Sequence, residues 1–424
     1  MPVFALVDAN NFYASCEKLF NPKLKDRPVV VLSNNDGCVV ARSAEAKALG
    51  IAMGVPWFKI RDEARRHRIV AFSSNYALYA DMSNRVVDIL STFSPNIEVY
   101  SIDESFLDLS GVNQKDHAAY GAEIRQRVAE WLGLSVCVGI GPTKTLAKFA
   151  NHLAKKNAVF NGVCDLHALT RPERMEWMSK IEVGEVWGVG RRISKRLAAM
   201  GIDTVLELRN ASPKEIRAQF GVVMERTCSE LRGISCLALE EVAPPKQQIM
   251  SSKSFGAPVE TIEELQEAVA SYMARAAEKL RQQHTVSAAV YVFVETNRFR
   301  DDEPQHNAGI TVPLTDGCDD TRTLTAAAFR GLKAIYRAGF RYKKAGVMLT
   351  LLSDKDARQA TLFDDTTASE KSARLMAAMD AINREFGRDT LRSAAIGMQK
   401  RWAMRAGNRS PGYTTRWEEL PVVG

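Results

Sequence analysis

The sequence predicts a protein of several domains, with an α/β or α+β sheet domain first and an α+β class for the chain as a whole. Three observations point there. Up to residue 166 short apolar runs alternate with helix-like stretches, over 171–233 short helices broken by glycines hold no convincing strand, and over 249–352 the runs follow the order strand, helix, strand, strand, helix, strand. With 424 residues the chain has the length for about three domains, each with its own core.

The first strand is Phe4-Ala5-Leu6-Val7, closed by Asp8; a helix follows over 11–20, and a second strand, Val29-Val30-Val31-Leu32, comes after Arg27-Pro28. Strands at 97–102, 106–109 and 135–140, with helices at about 80–93 and 118–132, complete an expected sheet with helices on one face. The segment 237–248 is acidic and then carries Pro244-Pro245, which cannot continue a helix, so it predicts a stiff tether between domains. Beyond 353 the clear pattern is an amphipathic helix with Leu375, Met379, Ile382 and Phe386 at spacings of four, three and four.

Apolar residues make up 46% and charged residues 25% of the chain, which excludes a disordered or low-complexity protein. Lys and Arg number 57 against 50 Asp and Glu, a net charge of +7 that permits a polyanionic partner without requiring one. No apolar stretch is long enough to cross a bilayer, and the start, MPVFALVDANNF, meets an acid at Asp8 with no basic segment before it; no membrane partner and a cytoplasmic location are expected. Seven scattered cysteines without a Cys-x-x-Cys pair, and six histidines without a His-x-x-x-His pair, argue for a reducing compartment and against a zinc site.

Asp8 ends the first strand, and Asp103-Glu104 lies between two β-rich runs. Acids in such apolar surroundings are costly to desolvate without a compensating cation. Three carboxylates converging at adjacent strand ends would suit two Mg²⁺ ions, whose hardness selects oxygen ligands. Ordinary turn acids at strand ends would leave the same spacing. Phe12-Tyr13 puts an aromatic face one helical turn past Asp8, either beside such a site or as a staple of helix to sheet. The run Gly139-Ile140-Gly141-Pro142-Thr143-Lys144-Thr145 is not a phosphate-binding P-loop, because its spacing departs from G-x-x-x-x-G-K-[ST] and a proline interrupts it. Val186-Trp187-Gly188-Val189-Gly190-Arg191-Arg192 looks like the hairpin of a helix-hairpin-helix, in which two glycines let a phosphate approach and Arg191, Arg192 and Lys195 add charge. A tight turn with a basic exposed face fits the same residues.

Taken in order, Asp8-Ala9-Asn10-Asn11-Phe12-Tyr13-Ala14-Ser15-Cys16-Glu17, Pro28-Val29-Val30-Val31, Ala44-Glu45-Ala46-Lys47-Ala48-Leu49-Gly50-Ile51 and Tyr100-Ser101-Ile102-Asp103-Glu104 resemble the palm and fingers of Y-family translesion DNA polymerases. The run Ser33-Asn34-Asn35-Asp36-Gly37-Cys38-Val39-Val40-Ala41-Arg42, then Phe72-Ser73-Ser74-Asn75-Tyr76 and the long C-terminal extension, bring the resemblance nearest to the UmuC-like catalytic subunit of DNA polymerase V. It covers nearly the whole chain.

The resemblance implies a right-hand fold: a ferredoxin-like palm at 1–23 and 77–168, small fingers at 24–76, a helical thumb at 169–236 with the helix-hairpin-helix, a linker at 237–248, a β-α-β-β-α-β little finger at 249–352 and a C-terminal extension at 353–424. It implies Asp8, Asp103 and Glu104 as catalytic ligands of two Mg²⁺ ions, with Mn²⁺ able to substitute and the backbone carbonyl of Ala9 completing one site. Tyr13 becomes the steric gate against a 2′-hydroxyl, Phe12 packs against the incoming nucleotide, and Lys47 and Lys155 hold the triphosphate. Lys47 stands where many relatives carry Arg, and Ala41 and Ala44 where many carry a hydroxyl and a tyrosine, so the triphosphate grip departs from the family pattern.

DNA contacts are implied at Gly188, Gly190, Arg191, Lys195, Lys253 and Ser254, with Ser251, Ser252 and the cluster Arg341, Lys343 and Lys344 beside them. Gln359-Ala360-Thr361-Leu362-Phe363 resembles the sliding-clamp-binding pentapeptide, with Gln359, Leu362 and Phe363 as the contacts. Arg388, Arg392, Lys400, Arg401, Arg405 and Arg409, against the single Asp389, mark a basic tail for partners. The expected partners are primer-template DNA, dNTPs, a UmuD′-like dimer, RecA and the clamp. The implied function is low-fidelity, template-directed translesion DNA synthesis in SOS mutagenesis, in the bacterial cytoplasm and without a proofreading exonuclease. Small finger residues (Gly37, Cys38, Ala41, Ala44, Gly54) would press little on the nascent base pair and check its shape weakly. Two alternatives stand beside it: a DinB-like polymerase acting alone, and a non-catalytic DNA-binding scaffold on a degenerate palm.

Overall fold

The computed structural model describes residues 2–112, 116–240, 245–357, 366–398 and 400–420. The chain divides into two compact units: one takes Met1–Ser33, Gly37–Ala243 and Asn408–Gly424, the other Asn34–Asp36 and Pro244–Gly407. The C-terminal end of the chain thus returns to the unit in which the chain began.

The first unit is built on a five-stranded sheet around β1 (Phe4–Ala9), every residue of which is buried. A strand covered on both faces reads as a continuous apolar run, and Phe4 to Val7 is one. α1 (Phe12–Leu19) leads to a smaller sheet, whose central strand β2 (Val29–Leu32) is also wholly buried and pairs with β3 (Val39–Arg42) antiparallel. After α2 (Ala44–Ala48) and α3 (Arg61–Arg66), β4 (Val70–Ser73) joins the other side of β2 in parallel. The sequence reading expected neither β3 nor β4: each is four residues long and only partly buried, so neither shows a period.

α4 (Tyr76–Leu90) returns to the large sheet, followed by β5 (Ile97–Val99), β6 (Glu104–Asp108), α5 (His117–Leu132), β7 (Val136–Gly141), α6 (Lys144–Lys156) and β8 (Val163–Asp165). The strand order is β5-β6-β1-β7-β8. Helices cover both faces of this sheet, where one face was expected. Ala5 and Val7 pack with Leu78 and Ile124 of α4 and α5, whereas the alternate residues Phe4 and Leu6 pack with Ala147 of α6. Gly139 makes the close approach of α6 feasible, since a Cβ there would lie 2.0 Å from Asn151 N.

The helical region follows as α7 (Arg171–Lys180), α8 (Arg191–Ala198), α9 (Val205–Asn210), α10 (Pro213–Phe220) and α11 (Val222–Leu231). α7 and α9 each begin with a capping box, Thr170 with Glu173 and Thr204 with Glu207, which stops these short helices fraying. As expected, no strand occurs among the described residues of this region.

The second unit has the expected six elements in order: β9 (Ile249–Val259), α12 (Ile262–Gln282), β10 (Thr285–Thr296), β11 (Asn307–Cys318), α13 (Thr321–Ile335) and β12 (Tyr342–Asp354). The antiparallel sheet runs β11-β10-β12-β9, and its buried face shares one core with α12 and α13. α14 (Thr366–Glu385) follows, and its inward face matches the expected one in part: Met379 and Ile382 are half-buried as expected. Leu375 and Phe386 are exposed and Met376 is buried. The bidentate Arg281–Asp380 pair, with both bonds 2.7 Å, fixes the rotation that puts Met376 inward. No helix is long and apolar enough, among the described residues, to cross a membrane.

Candidate active site

Asp8 and Ala9 are the last residues of β1 and Glu104 is the first of β6; the antiparallel register sets Asp8 directly opposite Glu104. Ala9 N donates to Asp103 O at 2.8 Å, which ties the third acid to the same end of the sheet. Asn11, with a left-handed φ of 52°, turns the chain from strand into α1. Phe12 then enters the core and Tyr13 stays half-buried. A cavity of about 310 Å³ opens here, lined by Asp8, Ala9, Phe12, Tyr13, Lys47, Asp103 and Lys155 among others. Of the metal- and nucleotide-site residues expected from the sequence, Glu104 alone does not line it; Glu104 and Asp103 border an adjoining smaller recess.

The counter-charges come from one face of α6, where Lys144, Lys148, Asn151 and Lys155 follow at spacings of four, three and four. Lys144 pairs with Glu98 at 2.6 Å, Lys148 reaches both oxygens of Glu104 at 2.8 and 3.0 Å, Asn151 donates to the Leu6 and Cys137 carbonyls, and Lys155 pairs with Asp8. Asp103 turns to Ser101, whose Oγ donates to it at 2.6 Å. Asp8 and Glu104 face each other across the register and interact, while the Asp103 carboxylate faces its own partner. The three acids do not close on a single point. Among the described residues, the group of acidic, His or Cys side chains with ligand atoms all within 4.8 Å of one another is His117, Asp165 and His167. Spacing could not reveal that group, because it joins the start of α5 to the end of β8. Asp165 there accepts from the backbone and ring of His167 at 2.8 and 2.9 Å, a local turn contact.

Burial pushes the Asp8 carboxyl up to about 7, Lys155 pulling it down and Glu104 adding to the rise. An unfolded Asp releases its proton near pH 3.8. Between about pH 4 and 7 the folded chain thus keeps a proton that the unfolded chain has lost, and stability falls as pH rises across that window. Asp8→Asn removes the fall. In metal-free buffer the melting temperature of the variant relative to the parent is expected to climb from pH 5 to pH 8; a constant difference would contradict the raised value.

Tyr13 stacks on Tyr79 at 4.3 Å and 16°, with Tyr76 edge-on at 6.3 Å. Lys47 donates to Asn11 Oδ1, and burial, with Arg42, Lys155 and Lys156 nearby, holds its ammonium below the usual lysine range. Three residues that the sequence reading did not select join the site: Asn11, Lys148 and Arg42. Arg42 lines the cavity, donates to Ile51 O at 2.7 Å and keeps its Nε buried without a partner among the described residues. Its signal was hidden because it ends β3. Lys148 could have been found, since it lies on one helix face with Lys155, seven residues away.

The remaining candidate residues lie elsewhere. Gly188 has a φ of 87°, and a Cβ at either Gly188 or Gly190 would meet nothing within 4 Å; α8 then starts without a side-chain cap, with Arg191 and Lys195 exposed. The arm before this hairpin is a single 3₁₀ turn, Val183–Glu185, in place of a full helix. Lys253 is exposed and Ser254 half-buried on β9. Of the second basic cluster, Arg341 is held by Glu260 and Glu303 and Lys344 by Glu295, while Lys343 donates to Phe255 O. Gln359, Leu362 and Phe363 lie outside the described residues.

Comparison with known proteins bears on all of this. Residues 7–152 match the model of the impB/mucB/samB family, residues 246–362 that family's C-terminal domain, and residues 373–423 a domain of unknown function, DUF4113. The chain is 51% identical over 420 residues to Protein UmuC of Salmonella typhimurium, with 99% of each chain covered, and 48% identical to Protein SamB from the same organism over 424 residues, again with 99% of each covered. A DNA polymerase IV of Desulfatibacillum aliphaticivorans is 28% identical over 92% of this chain and 96% of its own. Among solved structures, a Y-family DNA polymerase chimera of Dbh and Dpo4 superposes with a TM-score of 0.65 at 20% identity, over 83% of this chain and 99% of that one. That likeness speaks for the fold, and the full-length identities for the family, whose members generally use divalent metal ions. The chain belongs to the impB/mucB/samB family and is a Y-family DNA-directed DNA polymerase of the UmuC-like group.

Proposed function

We propose that this polymerase extends primers past damaged template bases by two-metal nucleotidyl transfer at the cavity beside Asp8, as the catalytic subunit of a polymerase V-like assembly in SOS mutagenesis. The carrying observation is the pairing of Asp8 with Glu104 across β1 and β6, with Asp103 on the next residue and Lys47 and Lys155 lining the same cavity. The donor set fits the metals: three carboxylates and the Ala9 carbonyl are hard oxygen ligands. Two Mg²⁺ ions, or Mn²⁺ in their place, supply when bound the activation of the primer 3′-hydroxyl and the neutralisation of charge on the transferring phosphate.

The chain's own residues do the rest. Lys47 and Lys155 come from different elements and meet a triphosphate as two point charges, with Arg42 beside them. Tyr13, braced flat against Tyr79, blocks a ribose 2′-hydroxyl, and Phe12, which lines the same cavity, packs against the incoming nucleotide. Gly188, Gly190, Arg191 and Lys195 of the thumb hairpin hold duplex phosphates, and Lys253 and Ser254 of the little finger do the same, in each case without reading sequence. The partition into palm (1–23 and 77–168), fingers (24–76), thumb (169–236), linker (237–248), little finger (249–352) and extension (353–424) belongs to the same reading. So do a UmuD′-like dimer, RecA, the sliding clamp at Gln359, Leu362 and Phe363, and a bacterial cytoplasmic location on the nucleoid.

Primer extension opposite an abasic site, with and without a UmuD′-like dimer and RecA–ATP, tests this. Product beyond the lesion is expected in Mg²⁺ with the accessory proteins, is lost in EDTA and returns on adding Mg²⁺. Bypass that ignores EDTA would overturn the metal mechanism. Full bypass without the accessory proteins would favour a DinB-like enzyme working alone.

A further inference from the structure

A stretch near the C-terminal end of the chain, Asn408 to Tyr413, is packed into the first unit behind Tyr13. It enters beside β4: Ser73 N donates to Asn408 O at 3.0 Å, Asn408 N donates back to Ser73 Oγ at 2.9 Å, and Ser73 and Arg409 form a parallel bridge. Asn75, fully buried as the residue before α4, commits its side chain to this segment. Its amide nitrogen donates to Ser410 O, Ser410 Oγ and Pro411 O at 3.2, 3.0 and 3.1 Å, and its oxygen accepts from Arg409 at 3.1 Å.

Ser410 Oγ in turn donates to Glu17 Oε1 at 3.1 Å, and Tyr79 OH donates to the same oxygen at 2.5 Å. Glu17 is 1% exposed on α1, and its Oε2 has no partner among the described residues. Tyr413 stacks on Phe20 just past the end of α1, at 4.8 Å and 15°. The segment therefore grips α1, which carries Tyr13, at two places, and grips α4, which carries Tyr79, at its start. A buried carboxylate shared by a tail hydroxyl and the Tyr79 phenol leaves the Tyr79 ring little freedom to shift, and that ring is the floor on which Tyr13 lies.

We propose that Ser410 is a positioning residue for sugar selection, acting through Glu17 and Tyr79 to hold Tyr13 against the incoming nucleotide. This gives part of the domain of unknown function at 373–423 a role inside the polymerase active site. It rests on the reading of Tyr13 as the steric gate, and the experiment separates the two.

Single-nucleotide incorporation is measured with a dNTP and the matching rNTP, and the ratio of the two kcat/KM values is compared across variants. A loss of folded enzyme lowers both values alike and leaves the ratio unchanged. Ser410→Ala removes two buried hydrogen bonds and is expected to narrow the ratio by about five- to tenfold, while Ser410→Thr, which keeps the hydroxyl, retains it. Tyr13→Ala is expected to narrow the ratio further, and adding Ser410→Ala to Tyr13→Ala should then change nothing more. Glu17→Gln, of the same volume, should narrow the ratio like Ser410→Ala and serves in its place if that variant yields no enzyme. A normal ratio in Ser410→Ala or Glu17→Gln, with Tyr13→Ala narrowed, would overturn the positioning role alone. An unchanged ratio in Tyr13→Ala would overturn the gate reading itself and the positioning role with it.

Discussion

Asp103→Asn is expected to lower primer extension by about 10³-fold or more while the protein stays folded and still binds primer-template. The reason lies in what the substitution keeps. An Asn at this position retains the shape of the side chain and an oxygen to accept from Ser101 Oγ, now 2.6 Å away. The backbone bond from Ala9 N to Asp103 O does not depend on the side chain. What goes is one of the three carboxyl groups at the end of β1 and β6, and with it a hard anionic ligand that a neutral amide replaces poorly. Asp103 is also the one acid of the three that, among the described residues, has no lysine partner, so its loss strands no buried cation there. Extension on an undamaged template, read beside DNA affinity by fluorescence anisotropy, gives the answer. Equal product from parent and variant would eliminate catalysis at these carboxylates.

The largest effect on stability is expected from Lys144→Met. Lys144 and Glu98 are 4% and 7% exposed and paired at 2.6 Å. Glu98 Oε2 also accepts from Glu240 N at 2.8 Å, and the lysine lies 5.0 Å over the Phe106 ring and reaches Ala238 O. Removing the ammonium leaves a carboxylate in a dry site, a loss of about 3–5 kcal/mol. The midpoint of urea unfolding should fall accordingly, and adding Glu98→Gln should recover part of the loss, since the charge is then gone and Glu240 N keeps an acceptor. A single variant within about 1 kcal/mol of the parent would mean that water already reaches the pair.

The sequence carried some of this architecture openly and hid the rest for physical reasons. β1, β2 and β7 are fully buried strands, so their apolar runs stand out, and the six elements of the second unit follow their helical and strand periods from 249 to 354. Asp8, Tyr13, Lys47, Asp103 and Lys155 were legible as members of motifs in order, and they line one cavity. Arg42 stood in one of the quoted runs but was given no role, because nothing in the short strand it ends marks its side chain as turned to the cavity. The lysine face of α6 was visible as spacing, but nothing in a sequence tells which carboxylates it will meet. The bond from Ser410 to Glu17 joins residues 393 apart and has no sequence signature of any kind.

That separation governs how the protein is made. Asn75 and Ser410 are 335 residues apart, so a ribosome that has just added Asn75 must translate for roughly 17 to 70 s before its partner exists. Until then the buried Asn75 amide lacks its acceptors, and Glu17 has the Tyr79 phenol but not the Ser410 hydroxyl. A nascent or prematurely terminated chain would hold every acid of the reaction centre yet lack the segment that braces α1 and α4 behind Tyr13.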